Sequence, residues 1–124
     1  MSYNALARQE VGHAAENLAC EYLQAQGLRL ITRNFSCKMG EIDLVMAHEN
    51  TVVFVEVRSR TKKDGYDPIE SITYHKQQRL FKTALFFLQK KGWLDAHPCR
   101  FDVIGITYPM GQPEIRWIKH AFSM

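Results

Sequence analysis

The sequence predicts an α/β fold, a mixed β-sheet flanked by helices in the order α-β-β-β-α-β-β. Three observations predict it: two segments carry apolar residues at helical spacing, short β-branched runs lie between and after them, and no low-complexity or Pro/Gly/Ser-rich stretch divides the chain. With 124 residues, 46% of them hydrophobic, the chain has the size and the core of one domain, expected over residues 1–124.

The first helix is expected from about Asn4 to Gln26, where Val11, Ala15, Leu18, Ala19, Tyr22 and Leu23 recur at helical spacing and Gly27 stands where a C-terminal cap belongs. A short strand near Leu28 to Asn34 follows. The runs "EIDLVM" and "TVVFVEV", separated by the polar "HEN", read as a hairpin. "TKKDGY", from Thr61 to Tyr66, has a D-G turn signal and predicts a mobile basic loop, and Pro68 stops any preceding element. Thr73 is an N-cap for a second helix, with Leu80, Ala84 and Leu88 on one face and Gly92 at its end. Strands near Phe101 to Thr107 and Ile115 to Ile118 complete the order.

Several function classes fall away. The longest apolar run, "ALFFL", is far short of the roughly 20 residues that span a bilayer, so no membrane association is expected. The first residues lack the pattern of a secretion signal, and a cytoplasmic protein is expected. Cys20, Cys37 and Cys99 are odd in number and form no C-x-x-C pair, which argues against a disulfide framework or a zinc knuckle. The five histidines show no metal-ligand spacing and are expected at the surface or in packing, and no small organic cofactor is expected. A net charge of +3 suits a polyanion binder and many ordinary enzymes alike, so the distribution of charge decides more than its sum.

That distribution singles out two acids. Asp43 and Glu56 sit inside the two hairpin runs, where an unpaired charge removed from water is costly. If the hairpin turns through a two-residue loop at Glu49 and Asn50, Asp43 faces Glu56 and Arg58 faces Glu41 on one side of the sheet. Two carboxylates about 5 Å apart at an effective dielectric near 20 repel by about 3 kcal/mol. A hard divalent cation would neutralise them, because Mg²⁺ favours one or two carboxylates together with waters and phosphate oxygens. The alternative is that Arg58 offsets Glu56 or Glu41 at a solvated sheet edge, which leaves Asp43 unexplained.

Around this pair, Glu16 shares an apolar helical stripe with Ala19, Cys20 and Leu23, as a boundary residue or as a third acid of one site. Lys76 lies in the first turn of the second helix, where a bound phosphate is favoured. Arg58, Arg60, Lys62 and Lys63 form the densest basic cluster, suited to a phosphodiester backbone or to a solvated loop. Asp102 in "RFDVIGI" is expected to be structural, paired with Arg100 or a backbone donor.

The segments "GHAAENLACEYLQAQG", "RNF", "GEIDLV", "VVFVEVRSR", the helix starting near Lys76, "RFDVIGI" and "IKHAF" together resemble the YraN-like family of small bacterial proteins, placed in the PD-(D/E)XK nuclease superfamily. The resemblance covers nearly the whole chain and implies a restriction-endonuclease-like core. It also implies Asp43 as the first metal-binding acid, Glu56 as the acid of the E-x-K element, Glu16 as the acid of the first helix and the Val57 carbonyl as a further ligand for Mg²⁺ or Mn²⁺. In this chain that element reads Glu56-Val57-Arg58, with arginine in the lysine position. An arginine keeps the charge and can bind phosphate bidentately, but it cannot serve as a base. Lys76 or a metal-bound water would have to supply what Arg58 lacks.

Two readings therefore stand. In one the chain is a metal-dependent endonuclease acting on DNA, on branched or damaged structures, with Asp43, Glu56, Arg58 and Glu16 catalytic and Arg60, Lys62, Lys63 and Lys76 on the backbone. In the other it is a nuclease-fold module with little or no catalysis that binds DNA or a protein partner. Analogy with junction resolvases implies a homodimer.

Overall fold

Glycines close both helices of the computed structural model, which describes residues 3–61, 65 and 67–124, with the backbone alone for residues 3–11. Helix α1 (Tyr3–Ala25) ends with Gly27 in the left-handed region at φ 98, where its N–H donates to the Gln24 carbonyl and that of Leu28 to the Leu23 carbonyl. Helix α2 (Tyr74–Lys91) ends the same way at Gly92, with the Trp93 N–H reaching the Leu88 carbonyl. Both are paired 6→1 and 5→2 closures that satisfy the last carbonyls and need a residue tolerant of positive φ. At its start, α2 is capped by Thr73, whose hydroxyl accepts from the Lys76 N–H at 3.1 Å.

Between and after the helices run β1 (Arg29–Cys37), β2 (Gly40–His48), β3 (Thr51–Arg60), β4 (Cys99–Thr107) and β5 (Glu114–Phe122), giving the predicted α-β-β-β-α-β-β order. They form one sheet in sequence order, antiparallel throughout except for β3 and β4, which are parallel. A parallel pair needs a crossover, and α2 supplies it. The edge strands β1 and β5 extend beyond their predicted limits, to Cys37 and over Glu114–Phe122. Their side chains are mostly half-buried or exposed, which leaves little apolar pattern to read.

The sheet is the middle of three layers. On one face Ala15, Ala19, Cys20 and Leu23 of α1 bury against Leu44, Met46, Val53, Val55, Ile104 and Ile106. The side chain of Val11, predicted on that helix face, lies outside the described ones. On the other face Leu80, Phe81, Ala84, Phe87 and Leu88 of α2 cover Val45, Val52, Phe54, Phe101 and Val103. Phe54 stacks on Phe101 and meets the edge of Phe87, so a continuous ring cluster fixes α2 on the sheet. Gly105 lets the segment before α2 lie on β4: a Cβ there would come within 2.3 Å of Pro68 Cγ. No helix among the described residues is long and apolar enough to cross a membrane.

Asp102 is almost fully buried in β4, and its carboxylate is satisfied as expected. It accepts from the Arg100 guanidinium at 3.1 Å, the Trp117 indole at 3.0 Å and the His120 N–H at 3.1 Å. His120 has a φ of 50 where β5 bulges opposite Asp102, so the carboxylate fills the gap left by the shifted register. Removing it leaves the largely buried Arg100 guanidinium without its partner, which costs about 3 kcal/mol. Asp102→Ala is therefore expected to lose that much stability in urea unfolding, and a loss under about 1 kcal/mol would contradict the assignment.

Candidate active site

The turn at Glu49 and Asn50, with Glu49 at φ 55, sets the predicted register, and β2 pairs with β3 from His48↔Thr51 to Leu44↔Val55. There the ladder stops. The predicted opposition of Glu41 and Arg58 does not form, because the β2–β3 ladder ends at Leu44↔Val55, and Glu41 keeps only its β1 partner, Ser36. Nor are Asp43 and Glu56 ladder partners. The Asp43 carboxylate accepts a hydrogen bond from the Val57 N–H at 2.8 Å and so takes the place of a strand carbonyl. The pleat also breaks at this point: Ile42 and Val45 both pack on the α2 face, whereas Leu44 and Met46 pack on the α1 face. Asn34, at φ 52 in β1, is irregular between Arg33, paired with Leu44, and Phe35, paired with Ile42. The outcome is a fork between β2 and β3 with Asp43 in its throat.

Glu56 enters the fork from β3. It is 5% exposed, and its Oε2 lies 3.4 Å from Arg58 Nη2 and 3.5 Å from Lys76 Nζ. Burial, and then the negative charge of Asp43, push its carboxyl up to about 8, while Lys76 and Arg58 pull it down. Near neutral pH Glu56 therefore holds a proton and shares it with the Asp43 carboxylate in a hydrogen bond. Both cations stand farther off than the roughly 2.7–2.9 Å of a tight charge-assisted bond, and the buried Nε of Arg58 has no partner among the described residues. In an extended residue the N–H and C=O leave from the same edge, so the Val57 carbonyl faces the fork along with its N–H.

Glu16 approaches from α1, partly buried. Burial and then Asp43 raise its carboxyl, a hydrogen bond with the Asn34 side chain and the charge of His13 lower it, and Glu41 raises it again. Among the described residues no three His, Cys, Asp or Glu side chains converge on one ion position. Glu16 thus feels the charge of Asp43 and stands at the border of the pair. The groups able to hold a cation directly are the Asp43 and Glu56 carboxylates and the Val57 carbonyl.

These groups open into a cleft of about 430 Å³ lined by Gly40, Glu41, Asp43, Glu56, Val57 and Arg58 of the fork and by His75, Lys76, Arg79 and Leu80 of α2. Helix α2 is tied over it by Arg79, whose Nε donates to the Met39 carbonyl at 3.1 Å, and packs so closely that a Cβ on Gly40 would lie 3.1 Å from the Thr83 hydroxyl oxygen. His75 and Arg79 were not anticipated as cleft residues. Arg79, three residues after Lys76, shares its helix face, and that spacing is the signal that could have found it; His75 carries no such signal. Arg60 sits at the exposed end of β3, beyond the lining residues, and Lys62 and Lys63 lie outside the described residues.

Fold and cleft define a small α/β protein with a carboxylate pair and a set of cations at the carboxyl end of a parallel strand pair. The chain belongs to the family described as "Uncharacterised protein family UPF0102", whose model matches residues 15–106, and this is the YraN-like family it resembles. It is 50% identical over 116 residues to a UPF0102 protein of Nitrosococcus oceani, covering 94% of each chain. A UPF0102 protein of Pseudomonas putida is 51% identical over 114 residues, covering 90% of this chain and 92% of the relative. The structure of Pyrococcus furiosus SfsA in complex with Ca²⁺ superposes with a TM-score of 0.42 at 16% identity, covering 94% of this chain and 65% of that one.

The raised Glu56 carboxyl makes metal-free stability depend on pH. Below its ordinary value of 4.5 folded and unfolded states both hold the proton, so its contribution is fully present; as pH rises toward about 8 only the unfolded state has released it, and stability falls. In EDTA, Glu56→Gln is expected to raise Tm above the wild type at pH 9 and to leave it nearly unchanged at pH 4.5. Equal shifts at both pH values would contradict the burial account.

Proposed function

We propose that this protein is a metal-dependent endonuclease of the PD-(D/E)XK type that hydrolyses phosphodiester bonds in DNA, in branched or damaged structures. The observation that carries the reading is the contact between Asp43 and Glu56 in a cleft whose other charged groups are mainly cationic. A carboxylate pair that must hold a proton near neutrality gains by exchanging it for a cation, and the donors present are hard oxygens, which fits Mg²⁺ or Mn²⁺. Asp43, Glu56 and the Val57 carbonyl would hold the ion, with Glu16 at its outer side. Bound there, it would polarise the phosphate and acidify a water.

The remaining work falls to side chains. Arg58, loosely paired with Glu56 and with its Nε unpartnered, is placed to turn toward phosphate oxygens and to stabilise charge that develops on them. It cannot give up a proton. Lys76 reaches the same Glu56 oxygen from α2, and its ammonium can exchange a proton where a guanidinium cannot, which answers the substitution at position 58. Lys76 and Arg79, in the first turns of α2, would contact the DNA backbone, and the basic residues Arg60, Lys62 and Lys63 are proposed as further contacts to it.

The arginine in the lysine position favours a second reading, a nuclease fold retained for binding DNA or a protein partner with little or no catalysis. A labelled panel of single-stranded, duplex, flap and four-way-junction DNA, incubated with Mg²⁺, Mn²⁺ or EDTA, separates the two. Metal-dependent cutting is expected from the wild type, none from Asp43→Asn, and cutting slowed by about 100-fold or more from Lys76→Met. Salt-sensitive binding without cutting in any metal would support the second reading instead.

A further inference from the structure

Helix α2 and edge strand β1 meet along one flank of the molecule, where the Phe35 ring touches those of Phe86 and Phe87, and neither element contains an acid. Together they hold seven of the chain's 16 Lys and Arg and none of its 13 Asp and Glu; without them the net charge of +3 would be −4. A solvated surface ordinarily mixes both signs, whereas one sign gathered on one flank is the footprint of a polyanion. Two of the seven are engaged elsewhere: Arg33 bonds to Asn17 of α1, and Lys91 lies over the Phe87 ring. The other five form a line. Lys76 and Arg79 line the cleft, and Lys82, Phe86 and Lys90 follow Arg79 by three, seven and eleven residues, on one side of the helix. That side borders β1, because the half-exposed Phe86 ring lies 6.2 Å from that of Phe35. From Arg79 to Lys90 the helix rises about 16 Å, room for about five stacked nucleotides of one strand. Just past Lys90 is a hollow of about 330 Å³ whose lining includes Arg29 at the start of β1, Glu49, Trp93 and His97.

We propose that this flank is the track on which a single DNA strand leaves the cleft, with its phosphates on Arg79, Lys82, Lys90 and Arg29 and its far end at Trp93. The inference rests on the DNA reading of the cleft and adds to it the path and length of the bound strand. The cations lie in single file, as one phosphodiester chain requires, and the file begins at the residues already placed on the backbone. Phe86 stands one helical turn from both Lys82 and Lys90, so unpaired bases meet a ring between two phosphate contacts. Stacking of that kind tolerates any base, so the track selects single strands without reading their sequence.

The test measures binding of a labelled single-stranded oligonucleotide in EDTA across a salt series, by fluorescence anisotropy. Two full-length double variants change the net charge equally: Lys82→Glu with Lys90→Glu on the flank, and Arg116→Glu with Lys119→Glu on β5, the opposite edge of the sheet. The flank pair is expected to lose about 10-fold or more in affinity and to flatten the slope of log affinity against log salt by about 1.4, the share of two single-strand phosphate contacts. The β5 pair is expected to stay within about 3-fold of the wild type with its slope unchanged. Trp93 and Trp117 are the chain's two tryptophans, and Trp117 packs on the α1 face, so DNA should quench intrinsic fluorescence in the wild type and much less in Trp93→Phe. Equal losses from both pairs, no loss from either, a quench that persists in Trp93→Phe, or no binding of the wild type would overturn the proposal. So would binding to phosphatidylglycerol vesicles in place of DNA. Selective loss from the flank pair without metal-dependent cutting in a parallel Mg²⁺ reaction would uphold the track and sink the nuclease reading. Cutting with no selective loss would do the reverse.

Discussion

Where β2 would continue its ladder with β3, the Asp43 carboxylate takes the Val57 N–H instead. A hydrogen bond to a charged acceptor contributes about 1.5–3 kcal/mol, enough to replace the strand–strand bond it displaces. It ends the pairing at Leu44↔Val55, opens the fork, and holds one carboxylate against another that burial has left reluctant to ionise. Everything chemical in the cleft follows from that exchange. Had the ladder run on, Asp43 and Glu56 would have stood as a repelling cross-strand pair with no shared throat between them.

The rest of the fold holds α2 over the fork. Its apolar face is fixed by Phe54, Phe87 and Phe101, its first turn is capped by Thr73, and Arg79 ties it to the β1–β2 turn. Gly40 and Gly105 matter because a side chain at either would push away Thr83 or Pro68, and with them the helix or the segment leading into it. The parallel β3–β4 pair makes such a crossover obligatory, so the cations of α2 and the acids of the hairpin meet as a consequence of topology. Two cations then share one oxygen of Glu56, neither at close range, an arrangement that can rearrange when an anion or a cation enters.

Much of this was legible in the sequence because it is written in local chemistry. Thr73, Gly27 and Gly92 mark helix ends through capping rules that need no tertiary context, and the Glu49-Asn50 turn fixed the register as far as it runs. Lys76 could be placed on the cleft side from helical position alone. The fork could not be read, since pairing rules assume that a ladder continues and a side chain replacing a carbonyl leaves no pattern. His75 was missed because only the packing of α2 against β2 brings it to the acids, whereas Arg79 follows Lys76 at helical spacing. The Arg100–Asp102 pair was anticipated, but its hold on Trp117 and on the bulge at His120 depends on a shifted β4–β5 register that an edge strand does not advertise.

The central claim is that the fork is a cation site, and the most direct measurement of it is anomalous diffraction from crystals soaked in Mn²⁺. The account predicts a single strong peak within about 2 Å of an Asp43 carboxylate oxygen, a Glu56 carboxylate oxygen and the Val57 carbonyl, with the Glu56 proton displaced. A fork without a peak at high Mn²⁺, with Glu56 still bonded to Asp43, would contradict it and leave the acids as a structural pair.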